Sequence, residues 1–255
     1  MRPSGWPAIA SASRRPEREP PISLAGWFHL GFFGLLIPWL AWRSRGQLAR
    51  HTATPRARHF ANVIIQLVIF LVISLAVAWV EHIPVWKPWA GHWLGWLLAA
   101  VLAVGGIVVM RPHWRKNVEK RDPTIRLFMP TDSRERQIWV LVAVAAGVSE
   151  EVTYRGVLFA LLWMLTGSGW AAAAIAAIIF GVSHAVQGWK AAGIVTIIAL
   201  ALHGLVALSG TLYPAIVAHA VYDIVAGLTY GRLGRDLGYD MAPPPDQFPE
   251  PLPAP

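Results

Sequence analysis

The stretch Ala145–Gly156, "AAGVSEEVTYRG", places two adjacent glutamates and an arginine inside a long apolar run. The sequence before it reads "IWVLVAVAAGV" (138–148) and the sequence after it reads "GVLFALLWML" (156–165), and neither contains a charged residue. Together these residues are long enough to cross the hydrocarbon core of a membrane as a helix, which takes about 20 residues. Since an ionisable group at that depth costs about 3 kcal/mol, the three charged residues require a partner or a function.

The composition is that of an integral membrane protein. Apolar residues make up 55% of the 255 residues and charged residues 14%, against about 25% charged in soluble domains. The chain has no cysteine, which excludes disulfides and thiolate chemistry. The net charge of +8 comes mostly from basic residues that flank apolar blocks. Basic residues at these positions hold loops on the cytoplasmic side of a membrane and contact anionic lipid headgroups. We therefore expect membrane lipids, and no nucleic acid, as partners.

The sequence predicts an all-α fold, a polytopic transmembrane bundle of about seven membrane segments. We divide it into a disordered polar tail (1–23), a first part with three segments and basic loops (24–137), a membrane core (138–230) and a Pro-rich tail (231–255). The seven predicted segments are Leu24–Trp42, Phe60–Val80, His92–Met110, Ile138–Leu165, Trp170–Val186, Ala191–Leu208 and Leu212–Tyr230.

The loop charges predict the orientation. Arg43–His59 carries five arginines and no acid, and Arg111–Gln137 carries eight Lys or Arg residues against four acids. The positive-inside rule places both loops and the C-terminus in the cytoplasm. Seven segments would then leave the N-terminus outside, although residues 1–23 contain four arginines. Two alternatives stay open: residues 24–42 are re-entrant, or the chain contains a further element.

The ionisable residues at membrane depth recur at a four-residue spacing. Glu151 and Arg155 are four apart, so they share a helix face and can form an ion pair. Glu150 lies about 100° around the helix from Glu151 and can point into a cavity instead. The same spacing recurs in the fifth and seventh predicted segments, at Phe180 and His184 and at His219 and Asp223.

These side chains could form one water-activating site. At about 1.5 Å per residue, Glu150 and His219 both lie roughly 16–18 Å from the cytoplasmic ends of their segments. A carboxylate in a low-dielectric pocket is a competent base, and a histidine beside it can help to deprotonate water. We predict Glu150 and His184 as that pair, and His219 with Asp223 as the pair that stabilises the oxyanion.

A zinc site is the alternative use of the same residues. Two histidines and a carboxylate (His184, His219 and Glu150) can bind Zn²⁺ and leave one position for water. The chain has no H-E-x-x-H sequence, and Glu151 would have to act as the base despite its expected pairing with Arg155. We therefore expect no metal cofactor and keep Zn²⁺ as the alternative.

Three motifs occur in order on apolar segments: "EEVTYR" from Glu150, "FGVSH" from Phe180 and "HAVYD" from His219. With them the chain resembles the CPBP family of intramembrane proteases, which includes CAAX prenyl endopeptidases and bacteriocin self-immunity proteins. The resemblance covers Ser149–Asp223, and the first three segments match only as hydrophobic segments.

The resemblance implies a role for each matching residue. Glu150 corresponds to the catalytic glutamate and His184 to its water-activating partner, while Phe180 shapes the pocket. Glu151 and Arg155 correspond to the supporting pair. His219 and Asp223 correspond to the histidine and the Asn or Asp that complete the oxyanion hole. An ionised Asp223 accepts but cannot donate a hydrogen bond, so its expected role is either that of a protonated donor or that of orienting His219.

The resemblance predicts an intramembrane endopeptidase, located in a bacterial plasma membrane, that cleaves a peptide or membrane-protein substrate. Two alternatives remain at this stage. The chain could be a noncatalytic immunity or scaffold protein in which the buried charges only stabilise the bundle. It could also be a proton-coupled transporter with a Glu–His relay, although the sequence shows no inverted repeat. His203 matches no motif and is predicted to be structural.

Overall fold

The computed structural model describes residues 22–44, 55–88 and 93–239. Within these ranges the chain is helical and contains no β-strand, which confirms the predicted all-α membrane bundle. Most of the two predicted tails, together with His92, lies outside the described residues.

Seven helices follow one another in the described ranges, and two of them contain π-helical segments. Helix α4 consists of Ser133–Glu150, the π-helical segment Glu151–Leu158 and Phe159–Thr166. Helix α1 contains the other π-helical segment, at Phe32–Leu36. The remaining bounds are α1 Leu24–Arg43, α2 Arg56–Val80, α3 Trp93–Glu119, α5 Gly169–Ser183, α6 Trp189–Ser209 and α7 Tyr213–Asp236.

Four helices, α1, α2, α3 and α6, are long and apolar enough to cross a membrane by length and composition. Helix α5 is apolar but shorter, and α4 and α7 carry the charged residues that the motifs single out. Helix α3 continues past the predicted end at Met110 to Glu119, and α7 continues past Tyr230 to Asp236. A hydropathy block marks the membrane rather than the helix, because a helix can extend from the membrane into water.

Local sequence signals fix the ends of the helices near the site. The Asp132 side chain caps α4 by accepting a hydrogen bond from the Glu135 backbone N–H at 2.8 Å. Gly167 ends α4 with a φ of +64°, a conformation that glycine adopts without steric cost. Ser168 then caps α5 by accepting from Ala171 N–H. This short turn makes α4 and α5 antiparallel neighbours.

A close approach of α4 and α7 positions the two helices that carry most of the site. A Cβ atom at Gly147 would lie 2.9 Å from the backbone oxygen of Ile216 and 3.1 Å from Ala220 Cβ. Only glycine permits this contact, as is usual where membrane helices pack closely. Because Gly147 lies one turn before Glu150, and Ile216 and Ala220 flank His219, the contact brings the two motifs side by side.

Candidate active site

Glu151 is the centre of the buried polar contacts. Its side chain is fully buried, and its Oε1 atom lies 3.2 Å from Arg155 Nη1 and 2.8 Å from His219 Nδ1. The ion pair that the four-residue spacing predicts is therefore present. The contact with His219 was not predicted, because it depends on how α4 packs against α7.

The contact with Glu151 fixes the roles of the two ring nitrogens of His219. A carboxylate only accepts, so Nδ1 of His219 must donate to Glu151. The opposite nitrogen, Nε2, lies 3.7 Å from Glu150 Oε2 and 3.5 Å from Asp223 Oδ2. One imidazole thus connects the two helices and faces carboxylates on both sides.

The carboxylates differ in their access to solvent. The exposed fraction of the side chain is 0% for Glu151, 19% for Glu150 and 31% for Asp223. The histidine that these carboxylates surround, His219, is 12% exposed. Glu150 is therefore the glutamate of the adjacent pair that a water molecule can reach. The backbone oxygen of Asp223 accepts a hydrogen bond from Trp139 Nε1 at 2.9 Å, which is a further link between α4 and α7.

His184 lies near Glu150 but does not contact it directly. Its Nδ1 atom lies 2.9 Å from the backbone oxygen of Phe180 and donates to it, so in the neutral ring Nε2 keeps a lone pair. Within the described residues His184 makes no hydrogen bond to Glu150, although the two groups interact electrostatically. The sequence predicted a helix through Val186, but α5 ends at Ser183 and His184 is its C-cap residue. This turn directs the ring toward the last carbonyl groups of α5.

Phe180 forms an aromatic wall between the charged residues. Its ring centroid lies 4.5 Å from that of His184 and 6.4 Å from that of His219. The guanidinium carbon of Arg155 lies 4.4 Å from the same ring centroid, a cation–π contact. Phe180 therefore contacts Arg155 and lies beside the rings of both histidines.

The predicted zinc ligands do not form a metal site in this arrangement. Throughout the ranges that the structure describes, no group of three or more His, Cys, Asp or Glu side chains is arranged to hold a metal ion. Glu150 and His219 lie close together, whereas His184 uses Nδ1 for the carbonyl of Phe180. The three predicted ligands are therefore not gathered around one point in the described structure.

The fold and the site together define a helical integral membrane protein with a buried carboxylate–histidine centre. Residues 134–225 match the family described as Type II CAAX prenyl endopeptidase Rce1-like. This segment is similar to that family, in agreement with the resemblance predicted from the three motifs. The matched family description supports a CAAX-type intramembrane protease at the level of the family.

The matched range contains the site from Glu150 to Asp223 and leaves α1, α2 and α3 outside. Neither a curated protein nor a solved structure matches the chain.

Proposed function

We propose that this chain is a glutamate-dependent intramembrane endopeptidase that hydrolyses a peptide bond with a water molecule activated by Glu150 and His184. The observation that carries the proposal is the difference between the adjacent glutamates. Glu151 is buried against Arg155 and His219, whereas Glu150 is partly exposed and has no arginine partner among the described residues. The family match over residues 134–225 supports the reaction class.

Glu150 is the proposed general base. Its carboxylate takes a proton from water as the water oxygen attacks the scissile carbonyl, and the resulting acid returns this proton to the leaving nitrogen as the C–N bond breaks. A base in this role contributes roughly 10²–10⁴ in rate. His184 orients the same water through the lone pair on Nε2, since Nδ1 donates to Phe180. We place that water between Glu150 and His184, which make no direct hydrogen bond to each other in the described structure.

His219 is the proposed donor to the oxyanion. Its Nδ1 is held by Glu151, and its Nε2 lies between the carboxylates of Glu150 and Asp223. Three neighbouring carboxylates favour a positively charged ring, which donates through Nε2 to the oxygen that becomes negative in the transition state. Asp223 then serves to hold and orient His219, a role that an ionised carboxylate can fulfil.

The proposed partners are membrane lipids and a peptide or membrane-protein substrate, and no metal cofactor is required. The family description names prenyl endopeptidases. Cleavage of farnesylated and unmodified peptides is therefore compared below. We further propose that the basic loops and the C-terminus face the cytoplasm of a bacterial plasma membrane, as the loop charges indicate.

Two assays test the proposal. New peptide termini are compared by mass spectrometry in membranes that contain the wild type, Glu150→Gln or Glu150→Ala at equal amounts. The purified chain is then incubated, with and without a strong chelator, with a fluorogenic peptide ending in a C-a-a-X sequence, in farnesylated and unmodified forms.

We expect wild-type-specific termini that both variants lack, and cleavage that survives chelation. Termini identical in all three samples would show a noncatalytic protein. Loss of cleavage on chelation, restored by Zn²⁺, would replace the glutamate mechanism by the zinc alternative.

A further inference from the structure

A separate cavity lies beside the loop 81–88. It has a volume of about 80 Å³ and is bounded by that loop, by α4 near Phe159 and by α6 near Val206. Arg155 and His203 line it, whereas Glu150, His184, His219 and Asp223 are not among its described lining residues. A single water needs roughly 10–15 Å³ of such volume, so the cavity has room for a larger polar group.

Two of the polar side chains that line this cavity, Arg155 and His203, are buried and incompletely bonded. Arg155 is 2% exposed and His203 is 5% exposed. Among the described residues, Nε and Nη2 of Arg155 and Nε2 of His203 have no hydrogen-bond partner. The ion pair with Glu151 involves only Nη1 of Arg155. The guanidinium nitrogens are donors, and Nε2 of His203 donates in the tautomer that carries its proton there. Because buried donors are nearly always satisfied in folded proteins, these nitrogens indicate a missing acceptor.

The charges around the cavity indicate that the missing acceptor is an anion. Arg155 and His203 are close enough to interact electrostatically. Lys87 from the loop also lines the cavity, and partial burial lowers the pKa of its amine. The described lining contains no Asp or Glu residue. A guanidinium group presents planar donors that match the paired oxygens of a carboxylate or a phosphate.

The remaining walls are mostly apolar, which restricts the kind of anion. Phe159, Trp163, Val206 and Leu212 are among the lining residues. A hydrocarbon chain would contact these residues while its acid group reached the buried donors. A fully hydrated inorganic ion would place its water shell against these apolar walls.

We propose that this cavity binds the acid group of an anionic amphiphile, a phosphate or carboxylate that carries a hydrocarbon chain. Arg155 and His203 donate hydrogen bonds to the acid group, and Lys87 lies near it in the lining. The ligand is either a membrane lipid with an exposed phosphate or a free fatty acid. The cavity shares Arg155 with the proposed peptidase centre, but Glu150, His184, His219 and Asp223 do not line it. The variants at His203 and Lys87 lie outside that centre, so either proposal can fail without the other.

Binding is measured as the rise in the unfolding midpoint of the purified full chain in an uncharged detergent. The probes are dodecyl phosphate, laurate, dodecanol and inorganic phosphate. His203→Phe removes the Nε2 donor but retains a ring against Phe159, whose centroid lies 5.5 Å away. Its matched control is His113→Phe on α3. Lys87→Met removes the loop charge, and its control is Lys190→Met on an exposed part of α6.

We expect the acidic amphiphiles to stabilise the wild type and both controls, and dodecanol to have no comparable effect. His203→Phe should weaken binding roughly tenfold or more, because it removes a hydrogen bond to a charged group. Lys87→Met should weaken binding less and tests the site even if His203→Phe does not fold. Tighter binding of dodecyl phosphate identifies a phospholipid as the source, and tighter binding of laurate identifies a fatty acid.

Three results would overturn the proposal. Dodecanol could stabilise the wild type as strongly as the acids, or His203→Phe and Lys87→Met could both bind like the wild type. Inorganic phosphate binding as tightly as dodecyl phosphate would remove the amphiphile assignment.

Discussion

Two buried polar clusters meet the π-helical segment Glu151–Leu158, and they differ in charge and in access. The proposed peptidase cluster consists of Glu150, Glu151, His184, His219 and Asp223. The exposed fraction of its carboxylate side chains rises from 0% at Glu151 to 31% at Asp223. The neutral cluster is formed by His29, Ser74 and Thr153. Its hydrogen bonds measure 3.1 Å from His29 Nε2 to Ser74 Oγ and 2.9 Å from Ser74 Oγ to Thr153 Oγ1.

All three members of the neutral cluster are at most 1% exposed. Its hydrogen bonds tie α1, α2 and α4 together, as polar side chains do between membrane helices. The comparison shows that a buried histidine with polar neighbours is not by itself a mark of catalysis. Charge combined with partial exposure to solvent distinguishes the proposed peptidase cluster from the neutral one.

The largest loss of stability and cleavage together should follow from Glu151→Gln, because this change leaves Arg155 buried without its counter-charge. Removing one partner of a buried ion pair costs about 3–5 kcal/mol, and the change also weakens the hold on His219. We expect a marked fall in the unfolding midpoint together with loss of cleavage. The matched control is Glu119→Gln, which breaks an exposed pair with Arg115 and should cost at most about 0.5 kcal/mol. Equal stability of the two variants would contradict the central role of Glu151.

A smaller effect should follow from Gly147→Ala. The new Cβ atom would lie 2.9 Å from the backbone oxygen of Ile216, so α4 and α7 must move apart. Such overpacking costs about 1–3 kcal/mol, and it shifts Glu150 relative to His219, so cleavage should fall as well. Gly105→Ala is the control, because no described atom lies within 4 Å of the new Cβ atom there. If Gly147→Ala cleaves and unfolds like Gly105→Ala, the close approach does not set the site.

The smallest effect on cleavage should follow from Ser74→Ala in the neutral cluster. The change removes hydrogen bonds to His29 and Thr153, each worth about 1 kcal/mol. We expect a lower unfolding midpoint with an unchanged cleavage rate per folded molecule. The rate is measured on the purified protein after aggregates have been removed. A rate that fell as far as in the Gly147→Ala variant would show that both clusters serve catalysis.

The sequence was sufficient for the features that depend on local pattern. Hydropathy blocks predicted seven helical segments, and the four-residue spacing predicted the ion pair between Glu151 and Arg155. Both features follow from length and helical period, which neighbouring residues determine. The three motifs also identified the family that matches residues 134–225.

The features that depend on contacts between helices could not be predicted in the same way. The bond from His219 to Glu151 requires the register of α4 against α7, which the contact at Gly147 sets. The end of α5 at Ser183 was missed because apolar residues continue beyond Ser183 and His184 to Val186. The π-helical form of Glu151–Leu158 has no signal in hydropathy, although such segments are frequent at functional sites.

Glu150→Gln provides the most direct test of the division of roles between the adjacent glutamates. The measurement is the initial cleavage rate of this variant relative to the wild type, on the substrate that the wild type cleaves, with the unfolding midpoint recorded on the same samples. We predict a rate at least about 100-fold lower at a midpoint close to that of the wild type. A Glu150→Gln variant that cleaves at the wild-type rate would contradict the assignment of Glu150 as the base.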